Sequence, residues 1–228
     1  MKKQFSLSTS HCLAIVVMVA LQIVAIRLPS LAADMNQLQQ SFKRMGGTPQ
    51  RLTEWQTMLH DANELPAEQK LKRVNEFFNR HLAFVENREI WGVDDYWATP
   101  LESLWKGKGD CKGYVIAKYY SLLELDIPAK QLRLIYVRAQ IGGADSALKV
   151  AHMVLAYYPT PESEPLVLDN LITEIRPASR RPDLLPIFSF NGEGVFVGVS
   201  GGATVGPGGV GQLSHWADLL RRARAEGF

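Results

Sequence analysis

The 228-residue sequence contains few cysteines, and its charges nearly cancel. Only Cys12 and Cys111 are present, and 25 basic residues stand against 23 acidic ones. Two cysteines are too few for a small disulfide-stapled scaffold. A net charge of +2 gives no support for nucleic-acid binding through bulk charge. With 46% apolar residues, the chain is long and apolar enough to bury one sizeable core.

The first 32 residues contain no acidic residue. Two lysines open this segment, an apolar run over residues 12–26 follows, and the small residues Ser30 and Ala32 end it. This order is typical of a secretory signal peptide. The run falls short of the roughly 20 residues that span a bilayer, which disfavours the alternative of a retained membrane anchor. We predict a signal peptide over 1–32, no stable anchor after its cleavage, and one exported domain over 33–228.

Removal of the signal peptide would change both the balance of charges and the number of cysteines. It takes away three basic residues and Cys12, so that 22 basic residues (25 less 3) face 23 acidic ones and Cys111 is the single cysteine. A lone cysteine in an oxidising compartment has no intramolecular partner and is a liability unless its reactivity is useful. The ordinary alternative is an inert cysteine that packs as a small hydrophobe. The surroundings of Cys111 decide between the two.

The exported part is predicted to be α+β, with helices first and strands after them. Apolar periodicity predicts helices over 35–45, 53–60 and 66–80, and Thr99 to Glu102 form a capping box that starts a helix ending at Gly107. Strands are expected over 132–139, 150–158 and 166–171, and Asn191-Gly192 indicates a further hairpin. Nine of the 18 glycines lie in 192–211, which predicts a loop there, and a last helix is expected from Ser214.

Cys111 is predicted at the first position of a central helix. Gly107 to Gly109 read as a flexible turn, Asp110 is suited to the N-cap, and the apolar face after it is broad enough for a largely buried helix that runs to Ile127. A helix N-terminus favours thiolate over thiol, and its unpaired amides can stabilise an oxyanion. This position therefore favours a nucleophilic Cys111.

His152 is the imidazole expected to serve that cysteine. For His60, His81 and His215 a solvated or capping role suffices, whereas His152 lies in an apolar strand, where a hydrogen-bonded core histidine is the ordinary alternative. If this strand pairs with the next across a four-residue turn, His152 lies directly opposite Asp169, with Cβ atoms about 5 Å apart. A carboxylate facing an imidazole in this way indicates a functional pair.

Several longer motifs resemble those of the bacterial transglutaminase-like cysteine proteinases of the LapG type. The similarity covers most of the exported chain. It is carried by DDYWATPLE at 94–102, GDC at 109–111, AHMVLAYY at 151–158, LVLDN at 166–170, PASRRPD at 177–183 and FNG at 190–192.

The resemblance implies a periplasmic thiol protease on a papain-like, transglutaminase-like scaffold with a Cys111, His152 and Asp169 triad. It also implies a substrate and a regulator. The substrate would be the N-terminal region of a large repeats-in-toxin-type surface adhesin, whose release controls biofilm attachment. The inhibitor would be the periplasmic domain of an inner-membrane cyclic di-GMP receptor. Two alternatives remain open at this point: a transglutaminase-type acyl transferase, and a catalytically inactive periplasmic binding module.

Calcium is the one point at which the sequence departs from the resemblance. Family members often have acidic residues on both sides of the nucleophile and bind calcium nearby, but here Lys112 follows Cys111. An ammonium beside the site opposes a hard cation. The chemistry itself is expected to require no cofactor. Lys112 could instead support the Cys111 thiolate, although a solvent-facing lysine is its ordinary interpretation.

Overall fold

A computed structural model describes residues 33–143, 145–192, 194–197 and 209–228. The predicted signal peptide over 1–32 lies outside these residues, as does most of the glycine-rich segment over 192–211. Within the described part of the chain, no helix is long and apolar enough to cross a membrane.

The N-terminal half is helical, as predicted. The first three helices are α1 (Met35–Arg44), α2 (Pro49–Ala62) and α3 (Ala67–His81). The short helix α4 (Asn87–Trp91) was not predicted. The capping box of α5 (Pro100–Lys106) is confirmed, because the Thr99 hydroxyl accepts from the Glu102 amide and the Glu102 carboxylate accepts from the Thr99 amide. Helix α6 (Cys111–Glu124) follows, and α7 (Gly209–Glu226) ends the chain.

Six strands form one antiparallel sheet in the order β6-β5-β4-β3-β7-β8. They are β3 (Leu132–Gln140), β4 (Lys149–Tyr157), β5 (Leu166–Leu168), β6 (Arg176–Pro177), β7 (Leu184–Phe190) and β8 (Val195–Val197). The hairpin predicted at Asn191-Gly192 joins β7 to β8. Two shorter strands, β1 (Ala83–Phe84) and β2 (Lys108–Gly109), pair in parallel. The predicted α+β class is confirmed.

Helix α6 lies at the centre of the main core, between the other helices and the sheet. Its residues Val115, Ile116 and Leu122 are at most 1% exposed and share one apolar cluster with α1, α2, α3, α5, α7 and the strands β3 and β4. Burying side chains of this size stabilises the fold by roughly 1.5–3 kcal/mol each. The Trp55 indole of α2 donates to the Ser121 hydroxyl of α6 over 2.8 Å. The helix that carries Cys111 is therefore held in place by contacts with both the other helices and the sheet.

Three local expectations were wrong. Of the turn expected over 107–109 only Gly107 is a turn residue, because Lys108 and Gly109 form strand β2 and pair with β1. Part of the glycine-rich segment is regular structure, because β8 lies within it and α7 begins at Gly209 rather than at Ser214. The strand expected over 166–171 ends at Leu168. In each case the tertiary partners of the segment, rather than its own composition, decide the structure.

Candidate active site

Cys111 is the first residue of α6, as the sequence predicts. The Asp110 carboxylate caps the helix by accepting from the Gly113 amide over 3.0 Å. In the turn before this helix, Gly107 has a φ of +61°. It lies so close to the Arg51 guanidinium that a Cβ would collide with that group. A residue larger than glycine would be strained there. The cysteine as a residue is partly exposed, at a position set by these contacts.

His152 and Asp169 meet, although not in the predicted register. Leu155 lies opposite Leu168 and Tyr157 opposite Leu166, which is two residues away from the predicted pairing. Asp169 therefore follows the end of β5 and reaches His152 diagonally. The His152 Nε2 to Asp169 Oδ1 distance is 2.7 Å, and both side chains are buried. The predicted contact is confirmed, and the predicted register is wrong.

The Cys111 side chain also interacts with the His152 ring closely enough to raise its pKa. Since Nε2 serves Asp169, the nitrogen that remains for the thiol is Nδ1. Burial lowers the pKa of His152, but the interactions with Asp169 and Cys111 outweigh it, and the net effect raises the pKa to about 9. The imidazole therefore readily holds an additional proton at neutral pH. The three predicted site residues therefore lie together, with His152 interacting with both Asp169 and Cys111.

Asp169 is held by a further partner that the sequence analysis missed. Its Oδ2 accepts from Arg181 Nη2 over 2.7 Å, and its Oδ1 also accepts from the Leu171 amide over 3.1 Å. Burial raises the pKa of Asp169, but the hydrogen bonds and charges of His152 and Arg181 lower it to about 2. Arg181 is 2% exposed. It lies in the PASRRPD motif, but no spacing rule connects that motif to Asp169.

Lys118 is a second residue that was missed. It lies seven residues after Cys111 on α6, its side chain is fully buried, and its Nζ donates to the Asp169 carbonyl oxygen over 3.2 Å. Burial lowers the pKa of Lys118 to about 7. A lysine within an apolar helical face, two turns from the nucleophile, is the sequence signal that could have identified it.

Lys112 does not point to solvent, contrary to its ordinary interpretation. Its side chain is 12% exposed, and its Nζ lies 2.5 Å from Asp110 Oδ2 and 3.4 Å from Asp95 Oδ1. Asp95 also pairs with His215 of α7, at 3.5 Å. His215 in turn stacks on the buried Trp97 ring, with centroids 5.9 Å apart. His215 is thus part of this neighbourhood rather than a capping residue.

A thiol, an imidazole and a carboxylate in this order can support nucleophilic attack on a carbonyl group. The imidazole accepts the thiol proton, and the carboxylate fixes the orientation of the ring and stabilises its charged form. The Cys111 amide at the N-terminus of α6 can stabilise a developing oxyanion, whereas the Gly113 amide already donates to the Asp110 cap. In the described part of the chain, no three His, Cys, Asp or Glu side chains come together as ligands for a metal ion.

Comparison with known proteins agrees with this chemistry. The family model of the bacterial transglutaminase-like cysteine proteinases matches residues 52–182, a range that contains Cys111, His152, Asp169 and Arg181. Among curated protein sequences none matches the chain significantly.

Solved structures of Legionella pneumophila LapG are similar to this chain along most of its length. One is 35% identical, covers 82% of this chain and 97% of its own length, and has a TM-score of 0.66. A calcium-bound form is 36% identical over 81% of this chain and 98% of its own, with a TM-score of 0.67. An EGTA-treated form is 35% identical over 82% of this chain and 97% of its own, with a TM-score of 0.66. The chain therefore belongs to the bacterial transglutaminase-like cysteine proteinases and is a cysteine protease with an α+β, papain-like fold.

Proposed function

We propose that this protein is a periplasmic endopeptidase in which Cys111 is the nucleophile, His152 the general acid–base and Asp169 the orienting carboxylate. The observation that carries the proposal is the buried His152 ring, which hydrogen-bonds Asp169 and interacts with Cys111 at the N-terminus of α6. A buried imidazole that meets both a carboxylate and a thiol is suited to transfer a proton rather than only to pack.

The reaction proceeds through an acyl-enzyme. The Cys111 sulfur attacks the scissile carbonyl carbon after its proton has moved to His152, and the Cys111 amide at the N-terminus of α6 helps to stabilise the oxyanion. When the C–N bond breaks, His152 gives its proton to the leaving amine. A water molecule then attacks the thioester, giving a proton to His152, and the carboxylic acid product leaves while the proton returns to the thiol. Asp169 remains ionised throughout, which agrees with its lowered pKa.

The proposed substrate is the N-terminal region of a large repeats-in-toxin-type adhesin at the cell surface. Cleavage there would release the adhesin and end biofilm attachment. An inner-membrane cyclic di-GMP receptor would control the reaction by capturing the protease through its periplasmic domain. The family membership of the chain and the signal-like segment over 1–32 support this proposal. Its regulatory part predicts that the receptor's periplasmic domain inhibits cleavage in a purified mixture.

A cleavage assay with a purified N-terminal adhesin fragment tests the proposed role of Cys111. The native protein is expected to release one discrete product, whose new N-terminus sequencing would locate. The Cys111→Ser variant is expected to release none, because a hydroxyl is a far weaker nucleophile. Cleavage by a folded Cys111→Ser protein at the native rate would exclude Cys111 as the nucleophile.

The same assay separates hydrolysis from acyl transfer. A labelled primary amine is added together with a glutamine-containing peptide. A protease leaves the label in solution and produces a shorter fragment, whereas a transglutaminase incorporates the label into the peptide. Incorporation without fragmentation would replace peptide hydrolysis by the transferase alternative.

A further inference from the structure

The neighbourhood of Cys111 contains two carboxylates that share one ammonium group. Lys112 is at the second position of α6, Asp110 caps the same helix, and Asp95 lies on the segment between α4 and α5. The Lys112 side chain is 12% exposed and that of Asp110 8%. A lysine this buried must be paired, because an isolated buried charge is costly.

All four oxygens of these carboxylates already have partners. Asp110 Oδ1 accepts from the Gly113 amide and Oδ2 from Lys112. Asp95 Oδ1 accepts from the Trp97 indole over 3.2 Å and also faces Lys112, and Asp95 Oδ2 faces His215. Burial lowers the pKa of Lys112, but Asp110, Cys111 and Asp95 raise it by more, so the group stays charged at neutral pH.

These residues do not fit a calcium ion. Calcium takes six to eight oxygen ligands at about 2.3–2.6 Å. Here the Lys112 ammonium lies within 3.4 Å of both carboxylates, and the other oxygens face an amide and a histidine ring rather than further oxygen ligands. One LapG structure is calcium-bound, whereas the carboxylates of Asp110 and Asp95 in this chain already face the Lys112 ammonium.

We propose that the Lys112 ammonium is the built-in cation of this site, which makes the protease independent of calcium. The ammonium neutralises Asp110 and Asp95, so that neither carboxylate repels the Cys111 thiolate. It also ties the Asp95 segment, and through it Trp97 and His215, to the N-terminus of α6. Lys112 is thus a positioning residue, and the proposal rests on the proposed function only in taking Cys111 as the nucleophile.

Thermal unfolding in EGTA and in millimolar calcium tests this directly. The melting temperature of the native protein is expected to be the same in both buffers. Lys112→Met is expected to melt several degrees lower in EGTA, and calcium is expected to restore part of that loss, because the charges of Asp110 and Asp95 then have no ammonium between them. Lys112→Arg keeps the charge and should behave as the native protein does. Lys130→Met, at an exposed position, is the matched control.

Two results would overturn the proposal. One is a melting temperature of the native protein that rises by several degrees in calcium. This result does not depend on the folding of any variant. The other is a folded Lys112→Met protein that responds to calcium no more than Lys130→Met does. The melting temperature of the Cys111→Ser protein, like that of the native chain, should be the same in EGTA and in calcium. A failure of Cys111 as the nucleophile is thereby distinguished from a failure of Lys112 as the cation.

The rate of Cys111 alkylation by iodoacetamide provides a second readout. For the native protein, the rate in EGTA should equal the rate in calcium. Lys112→Met should react several-fold more slowly in EGTA, because Asp110 and Asp95 then repel the thiolate, and Lys112→Arg should recover most of the native rate. Unchanged alkylation of Lys112→Met would overturn the electrostatic part of the proposal.

Discussion

Each oxygen of the buried Asp169 carboxylate accepts a hydrogen bond from a different side chain. Oδ1 accepts from His152 and from the Leu171 amide, while Oδ2 accepts from Arg181. Arg181 is shared with Asp183, whose Oδ2 lies 2.7 Å from the same Nη2. The arginine thus keeps Asp169 ionised and directs its other oxygen towards the imidazole.

Arg181→Met should be strongly destabilising. It leaves Asp169 buried with one partner fewer, and breaking a buried pair from one side costs about 3–5 kcal/mol. Urea unfolding would measure this free energy, with the exposed neighbour Arg180→Met expected within about 0.5 kcal/mol of the native value. Equal unfolding free energies for the two variants would show that Arg181 does not support Asp169.

Lys118 gives the fold a dependence on pH. Burial lowers its pKa from 10.5 to about 7, so between these pH values the unfolded chain holds a proton that the folded chain has released. The unfolding free energy of the native protein therefore rises with pH in this window, by up to about 1.4 kcal/mol per pH unit.

Lys118→Met removes this contribution. The unfolding free energy of Lys118→Met minus that of the native protein should be largest at neutral pH and should decrease as the pH approaches 10. Urea unfolding across this range measures the difference, with Lys130→Met as a control whose difference stays constant. A Lys118→Met difference that did not change with pH would mean that Lys118 stays protonated in the fold.

At the scale of elements, the N-terminus of α6 is set by contacts close in sequence. Asp110 caps the helix, and the capping box of Thr99 and Glu102 fixes the start of α5, the helix that precedes it. Local signals of this kind are visible in the sequence, because side chain and backbone lie within three residues of each other. That is why the position of Cys111 could be predicted.

The cap itself can be tested with a matched pair of variants. Asp110→Asn and Asp110→Ala both remove the charge that faces Lys112, but only Asn keeps an oxygen for the Gly113 amide. Asp110→Ala should therefore unfold with about 1 kcal/mol less free energy than Asp110→Asn. Chemical unfolding at one pH measures the difference, and equal stabilities would show that the cap contributes nothing.

The pairing of β4 with β5 shows where sequence reasoning was insufficient. A four-residue turn was assumed, whereas eight residues, 158–165, separate the paired strands. Three of them are prolines, which donate no ladder hydrogen bond, and the Tyr158 amide bonds the Gln131 carbonyl instead of the neighbouring strand. The contact of His152 with Asp169 survived this error, because a shift of two residues keeps side chains on the same face.

At the scale of the whole molecule, the site combines residues that the chain separates widely. Helix α6 supplies Cys111, the sheet supplies His152, and the segments after β5 and β6 supply Asp169 and Arg181. The first three were predicted, because a helix cap and a strand pair are local or period-two patterns. Arg181 and His215 were not, because their partners are set by how the last strands and α7 fold back onto the site.

The most direct test of the account is the rate at which iodoacetamide alkylates Cys111 in the native protein and in His152→Gln. At neutral pH the native rate should exceed the variant's by about ten-fold or more, because His152 takes up the thiol proton. The gap should narrow at alkaline pH, because the thiol of the variant then ionises without help from an imidazole. His60→Gln, at an exposed position, is the control and should react at the native rate. Equal rates for the native protein and a folded His152→Gln at neutral pH would contradict the proposed Cys111, His152 and Asp169 assembly.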